Sequence, residues 1–337
     1  MSYLFKYIVL SILAFVVSPV NISLSSYINT GSSEKVEFFQ PVIEKLVERG
    51  VDSNFIYDLI NDTKTEFNER FVKINVTGYL KKADYSSHYN TFSTTKTKNF
   101  IEEHYELLQE CENKYGVPKE IIASVLWVET RHGDYLGDNH VPSVFLSTAM
   151  ASEEKYVNMN LKELRKDFEG SKSELKTLER KIKRRAISKS DWAVDELVAL
   201  SKMFNNYPGS IKDIHGSWAG AFGMSQFLPS SYVALAVDGD NDGDVDLFSL
   251  PDAAHSVAHY LSENGWSKTN THKQKKAIYS YNNSSAYVEA ILKLANNVSK
   301  EDIDTNVDEA DLKNEEKEEE KVKTPLHEQI IKGRERK

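Results

Sequence analysis

The stretch that organises this chain is IIASVLWVETRHG at residues 121–133. It is an almost wholly apolar run that leads to a single carboxylate, Glu129. Pro118, which follows a glycine and a valine, suits the first turn of a new helix. We therefore predict a buried helix from Pro118 to about Thr130, closed by Gly133. The residues three and four positions before Glu129 are apolar, so its neighbours on a helix are apolar too.

This setting gives Glu129 a chemical use. Loss of water raises the pKa of a carboxyl group, and the negative end of a helix acts in the same direction. A carboxyl group tuned in this way can serve as a general acid near neutral pH. The segment by itself leaves an alternative open, namely a surface glutamate at the point where a buried helix emerges.

A second informative stretch is GSWAGAFGMSQFLPSSY at residues 216–232. Three glycines and two alanines among its first eight residues permit close approach of the backbone to another element or to a ligand. Ser217 and Gln226 are polar groups within this small, apolar run. The pattern is neither a Gly-x-Ser-x-Gly nucleophile turn nor a phosphate-binding loop, which ends in Gly-Lys-Ser/Thr.

A third stretch, DGDNDGDVD at residues 238–246, is strongly acidic. It fits the first half of a calcium loop, with carboxylates at loop positions 1, 3 and 5 and a glycine at position 6. Position 12 is Ser249, where the common loop has a glutamate, and Asp252 is placed to supply the missing ligand. The alternative is a solvated acidic turn.

Composition narrows the class of protein. The chain has 337 residues, 40% hydrophobic and 28% charged, which suits about two globular domains and excludes collagen-like, wholly disordered and polytopic membrane proteins. A net charge of −9 argues against a general nucleic-acid binder. The one cysteine, Cys111, excludes an internal disulfide framework.

The N-terminus predicts export. Lys6 precedes an apolar run, Tyr7–Val17, of signal-peptide length, and small residues follow near Ser25. We therefore interpret residues 1–25 as a signal peptide and expect a periplasmic protein. An uncleaved segment that anchors the protein to the membrane is the alternative.

The rest of the chain divides by composition. Residues 26–95 form a linker and an N-terminal helical region, and residues 96–298 form the main domain, which starts with one amphipathic helix over Lys96–Tyr115. A lysine-rich insertion at 152–190 is interpreted as a solvated helical excursion. Residues 299–337 lack aromatic residues and are rich in charge, as in a disordered tail. Few strands are predicted.

In this order and spacing, the segments resemble the lytic murein transglycosylase B family, whose catalytic domain is lysozyme-like. The matching stretches are Tyr115–Thr130, Gly216–Tyr232, Ala236–Trp266 and Tyr281–Asn282. The resemblance covers roughly residues 96–297. It implies a mainly α fold (α+β, lysozyme-like superfamily) with an EF-hand-like calcium loop.

The resemblance also implies a reaction. The family cleaves the β-1,4 bond between N-acetylmuramic acid and N-acetylglucosamine in peptidoglycan without water, which gives 1,6-anhydro ends. By similarity Glu129 is the only catalytic carboxylate, first as acid and then as base. The substrate's own N-acetyl group replaces a second carboxylate, one of the exceptions to the two-carboxylate scheme. No organic cofactor is implied.

Other residue roles are carried over by similarity. Ser217 and Gln226 match positions that line the saccharide cleft near the acid, and Tyr260, Tyr281 and Asn282 match further cleft positions. The implied calcium ligands are Asp238, Asp240, Asp242, Asp244 (through its backbone) and Asp252. The partners implied are glycan strands, not nucleic acid.

The sequence departs from the family at Arg131-His132, where aromatic residues are usual. In the tail, Leu326, Ile330 and Ile331 form a candidate helix for binding other cell-wall enzymes. Two other functions stay open on the sequence: a calcium-dependent module that binds peptidoglycan without cleaving it, and a muramidase that admits water.

Overall fold

The structure is a computed structural model that describes residues 33–78, 84–166, 168–203 and 207–300. The predicted signal peptide lies outside these residues, as does the predicted tail after Lys300. In the described ranges, no helix combines the length and the apolar character needed to cross a membrane. The helices are α1 Ser33–Phe38, α2 Gln40–Glu48, α3 Ser53–Asn61, α4 Glu69–Thr77, α5 Thr91–Glu103, α6 Tyr105–Tyr115, α7 Lys119–Thr130, α8 Val141–Ala149, α9 Glu154–Lys166, α10 Lys172–Lys202, α11 Pro229–Leu235, α12 Leu250–Glu263, α13 Thr271–Tyr281 and α14 Ser285–Val298.

Two hydrophobic cores organise these helices. The first core gathers the apolar faces of α2–α4 and α8–α11, and the long helix α10 packs along α8 at its centre. The second core gathers α5–α7 and α12–α14, with α7 packed against α14. The N-terminal helices therefore share a core with the middle of the chain.

The predicted helix from Pro118 to about Thr130 is confirmed, but the prediction that Gly133 closes it is wrong. Pro118 is the N-cap residue of α7, and nine of the twelve residues of the helix are buried. The helix is closed by Arg131, which adopts the left-handed conformation (φ 52°, ψ 51°) and donates its backbone N–H to the carbonyls of Leu126 and Trp127. Gly133 lies beyond this end.

Two other expectations need correction. The single helix expected over Lys96–Tyr115 is two helices, because the chain turns at His104, whose ring packs edge-on against Phe100 (4.7 Å between ring centres). The insertion at 152–190 is helical but not wholly solvated. Its inner face, with Ile182 and Ala186 fully buried, belongs to the first core.

The glycine-rich segment lies where the two cores meet. A two-residue ribbon pairs Asn139–His140 (β1) with His215–Gly216 (β2), and the chain then runs through turns to α11. A side chain at Gly220 would meet the Phe145 ring at 2.3 Å, so this close approach requires glycine.

We call the boundary between the cores the seam. Phe222 and Phe227 belong to the first core, whereas Met224 belongs to the second. Tyr260 and Tyr281 pack against both cores. The seam therefore brings α7, α12, α13 and the glycine-rich segment together.

Candidate active site

Glu129 occupies the last turn of α7, where the helix reaches the seam. Its side chain is partly buried, and the Tyr287 hydroxyl donates a hydrogen bond of 2.6 Å to its Oε1. Burial raises the pKa of Glu129 from 4.5 to about 7, although the Tyr287 hydrogen bond acts to lower it. Among the described residues no charged side chain contributes to this shift. Near neutral pH the group can therefore both give and take a proton.

Aromatic rings surround this carboxyl group. The Tyr85 ring lies 5.8 Å from the Tyr287 ring, edge to face, and the Tyr281 ring lies parallel to Tyr287 at 6.4 Å. Burial is the main cause that raises the pKa of Tyr85 to about 12, and it also raises the pKa values of Tyr281 and Tyr287 well above 10. These phenols therefore stay protonated at neutral pH, and those of Tyr281 and Tyr287 donate hydrogen bonds.

The later residues that were predicted to line the saccharide cleft, Tyr260, Tyr281 and Asn282, meet in this cluster. The Tyr260 and Tyr281 rings lie 4.7 Å apart, and both lie within 6 Å of the Phe227 ring. Their hydroxyls donate to the backbone carbonyls of Ser280 and Ser225, respectively. Asn282 hydrogen-bonds the Tyr85 hydroxyl. The polar ends of these side chains thus hold the seam together.

Gln226 and Ser217 lie on the glycine-rich side of the site. Gln226 has a left-handed backbone (φ 50°), and its Nε2 donates to the carbonyls of Leu136 (3.1 Å) and Gly223 (3.0 Å). Ser217 Oγ accepts the Ala221 backbone N–H at 3.2 Å and so shapes the turn. This arrangement brings Gln226 next to the loop that follows α7, and it gives Ser217 a role in the backbone turn.

One hydrogen bond links the end of α7 directly to the glycine-rich segment. The hydroxyl of Thr130, the residue after Glu129, donates to the Met224 carbonyl at 2.9 Å. Both groups are buried, so the bond fixes the end of α7 against the glycine-rich segment.

Sequence reasoning missed Tyr287 and Tyr85. Tyr287 stands in the first turn of α14, and the Ser284 side chain caps the helix by accepting the Tyr287 backbone N–H. An aromatic residue in a capped first turn, six positions after Tyr281, was the available signal. Tyr85 lies outside every motif, and only the fold brings it to Glu129.

The acidic loop meets the requirements of a cation site in part. Carboxylate oxygens of Asp238, Asp240 and Asp252 lie within 4.8 Å of one another. Asp252, which is buried near the start of α12, accepts backbone N–H groups from Gly239 (2.7 Å) and Asp246 (2.6 Å), so both arms of the loop are tied to it.

The donor chemistry of this trio suits calcium, which prefers oxygen ligands from flexible loops. Burial raises the pKa of Asp252, and the charges of Asp238 and Asp240 act in the same direction. A cation would relieve that repulsion. The side chains of Asp242 and Asp244 do not belong to the trio, and Asp242 Oδ1 instead accepts the Asp244 backbone N–H at 2.9 Å.

A mainly helical fold that holds a carboxyl group of raised pKa among tyrosines, beside a glycine-rich segment, agrees with the lysozyme-like transglycosylase class that the sequence resembles. The comparisons bear this out, because the sequence model of the transglycosylase SLT domain matches residues 35–275. The chain belongs to this family, which confirms the predicted resemblance. The match begins within the helical region that the sequence analysis set apart from the main domain.

Individual relatives agree with this assignment. The chain is 30% identical over 169 residues to membrane-bound lytic murein transglycosylase B of Escherichia coli (strain K12). That alignment covers 50% of this chain but only 37% of the relative.

Solved structures show the same fold at lower identity. Escherichia coli SLT35 in complex with calcium is 18% identical, with a TM-score of 0.58 over 77% of this chain and 92% of that one. SltB3 from Pseudomonas aeruginosa, in complex with NAG-NAM-pentapeptide, is 17% identical, with a TM-score of 0.57 over 79% of each chain. The expected mainly α, lysozyme-like fold is thus confirmed.

Proposed function

We propose that this protein is a peptidoglycan lytic transglycosylase that cleaves the MurNAc-β-1,4-GlcNAc bond and leaves 1,6-anhydromuramyl ends. The observation that carries the proposal is Glu129, a carboxyl group whose pKa is raised to about 7 and which is held by Tyr287 at the seam. A group that is half protonated near neutral pH can act first as an acid and then as a base.

The two steps balance around this one group. In the first, Glu129 gives its proton to the glycosidic oxygen, the bond from that oxygen to muramic C1 breaks, and the N-acetylglucosamine product leaves with a hydroxyl. In the second, the muramic C6 oxygen bonds to C1, and Glu129 takes the proton that the C6 hydroxyl loses. The carboxyl group is thereby restored without water.

The absence of a charged neighbour supports the single-carboxylate scheme. In the residues that the structure describes, no second acidic group perturbs Glu129. The positive charge that develops at C1 is instead stabilised by the substrate's own N-acetyl group, as in substrate-assisted glycosidases. The protonated phenol of Tyr85 offers a hydrogen-bond donor near the reacting sugar, whereas the Tyr281 hydroxyl is already bonded to the Ser225 carbonyl.

The substrate follows from the family and from the relatives. A relative at 30% identity is named a murein transglycosylase, and SltB3 was solved with NAG-NAM-pentapeptide. Glycan strands of peptidoglycan are therefore the proposed partner. Ser217, Gln226, Tyr260, Tyr281 and Asn282 are proposed to line the path of the strand, chiefly through ring faces and backbone geometry.

We also propose a structural calcium ion at the acidic loop. Asp238, Asp240 and Asp252 would bind it, together with Asp242 and the Asp244 backbone. The fold of SLT35, which has been solved with calcium, supports this assignment. The loop connects α11 to α12, so the ion would stabilise one wall of the site without taking part in the chemistry.

The proposed location is the periplasm. Residues 1–25 would act in export as a signal peptide or would remain as a membrane anchor. The relative that is named membrane-bound supports a location at the cell envelope. The tail residues Leu326, Ile330 and Ile331, which lie outside the described residues, remain the proposed contact for other cell-wall enzymes.

Mass spectrometry of digested sacculi tests the reaction. The proposed enzyme releases muropeptides with 1,6-anhydro ends. Reducing muramic ends would show a muramidase, and intact sacculi together with tight binding would show a binding module. Glu129→Gln should fold and bind sacculi but release no product, and Glu106→Gln, at an exposed position on α6, is the matched control that should retain turnover.

A further inference from the structure

The loop that follows Glu129, residues 131–138, is clamped between α7 and the glycine-rich segment, and we call it the lip. Its Leu136 carbonyl accepts the Gln226 side chain. A side chain at Gly137 would meet the Gly216 backbone at 2.3 Å, so the lip and the glycine-rich segment are in backbone contact there. The lip is therefore a fixed edge of the site.

One large side chain on this edge is exposed. Tyr135 is 46% exposed, although its backbone N–H is tied to the Thr130 carbonyl at 3.0 Å. The guanidinium of Arg131 lies over the Tyr135 ring, 5.2 Å from its centre, and also 5.7 Å from the centre of the Trp127 ring. Arg131 thus joins the exposed ring of Tyr135 to the buried ring of Trp127.

The backbone shows that this arrangement has a conformational cost. Arg131 and His132 both adopt left-handed conformations (φ 52° and 60°), which costs an L-residue roughly 1–2 kcal/mol. His132 is held by its ring, which stacks on Phe100 at 3.8 Å, and by a hydrogen bond of 3.0 Å from its ring to the Ala123 carbonyl. The strained turn is what directs Arg131 toward Tyr135.

We propose that Tyr135 forms an additional saccharide subsite on the lip, with Arg131 as the positioning residue that fixes the orientation of its ring. The ligand is a pyranose of the glycan strand, whose C–H face packs on the aromatic ring while the phenol hydrogen-bonds a sugar hydroxyl. The inference rests on the proposed function, because a strand with its scissile bond at Glu129 must continue past one edge of the site.

Binding of peptide-free, soluble glycan strands tests this subsite without interference from cleavage or peptide stems. The measurements use Glu129→Gln protein, in which Tyr135→Ala should raise the Kd about three- to tenfold, the range typical of one aromatic contact. Tyr135→Trp should preserve affinity. The matched control is Tyr105→Ala, since Tyr105 is 47% exposed and has the Lys119 ammonium 5.6 Å from its ring centre. Lys119 begins α7, about 15 Å from Glu129 along the helix.

A double-mutant cycle separates positioning from general stability. Arg131→Lys should weaken binding while Tyr135 is present and should have no further effect in Tyr135→Ala. Equal Kd values for Tyr135→Ala and Tyr105→Ala would overturn the subsite. Additive effects of Arg131→Lys and Tyr135→Ala on the Kd would overturn the positioning role of Arg131. Anhydro ends released from sacculi by the wild type, alongside such a result, would show that the subsite fails while the proposed reaction stands.

Discussion

Replacing Glu129 by glutamine should change how stability depends on pH, quite apart from its effect on turnover. In the folded protein the pKa of Glu129 is about 7, against 4.5 for an unperturbed glutamate. Between these values the folded state binds more protons than the unfolded state, so the free energy of unfolding falls as pH rises. The contribution of Glu129 to the free energy of unfolding is fully present below pH 4.5 and is lost as the pH rises through 7.

The size of the loss follows from the shift. A difference of about 2.5 units corresponds to about 3 kcal/mol when the titration is complete. Most of this loss, about 2–3 kcal/mol, falls between pH 5 and pH 8. Glutamine cannot ionise, yet its side-chain oxygen can still accept the Tyr287 hydrogen bond. Glu129→Gln should therefore gain about 2–3 kcal/mol relative to the wild type between pH 5 and pH 8.

Urea unfolding of both proteins at the two pH values, followed by circular dichroism, measures this difference. Every other titrating group is shared, so it cancels in the comparison. Glu106→Gln, which changes an exposed glutamate, should keep the same difference from the wild type at both pH values. A constant difference for Glu129→Gln as well would mean that Glu129 titrates like an exposed carboxyl group, and the argument for proton transfer near neutral pH would fail.

Three further outcomes are expected. Tyr287→Phe removes the hydrogen bond that lowers the pKa of Glu129, so the alkaline limb of the pH profile of kcat/KM should move to higher pH. A limb that stays in place or moves to lower pH would contradict the assigned contact. Calcium at a hundred times its Kd should raise the melting temperature by about 5–10 °C over EGTA, an effect that Asp238→Ala combined with Asp242→Ala should abolish; no shift in the wild type would leave a plain acidic turn. Deleting residues 301–337 should leave the melting temperature and the turnover of isolated sacculi nearly unchanged, and a fall in either would show that the tail packs on the domain.

Local chemistry explains which features were predictable. The apolar run before Glu129 and the proline that precedes it predict α7, because burial and helix initiation both act within a few residues. The acidic loop is likewise local, and the structure gathers three of its predicted carboxylates. Arg131 escaped prediction because a left-handed arginine is stabilised by rings that the fold supplies, whereas Gly133 satisfies the usual end rule.

The aromatic surroundings of Glu129 were less accessible to sequence reasoning. Tyr287 has the appearance of one more buried residue on an amphipathic helix, and Tyr85 lies 44 positions before Glu129 and outside the motif that contains Glu129. Their contacts depend on how α14 packs against α7 and on how the turn at 86–89 packs against α14. Tertiary packing also decides the break at His104, which neither glycine nor proline marks.

The seam has a consequence for how the protein fails under stress. Its two sides belong to different cores, each built from its own set of helices, and we expect each core to open as a unit of its own. Parting of these units would separate Met224, which stays bonded to Thr130 of α7, from Phe222 and Phe227, while most helices stayed intact. Heating should therefore inactivate the protein at a lower temperature than the one at which its helices melt. The catalytic rate, rather than the helical circular dichroism signal, is then the sensitive measure of contact between the two cores.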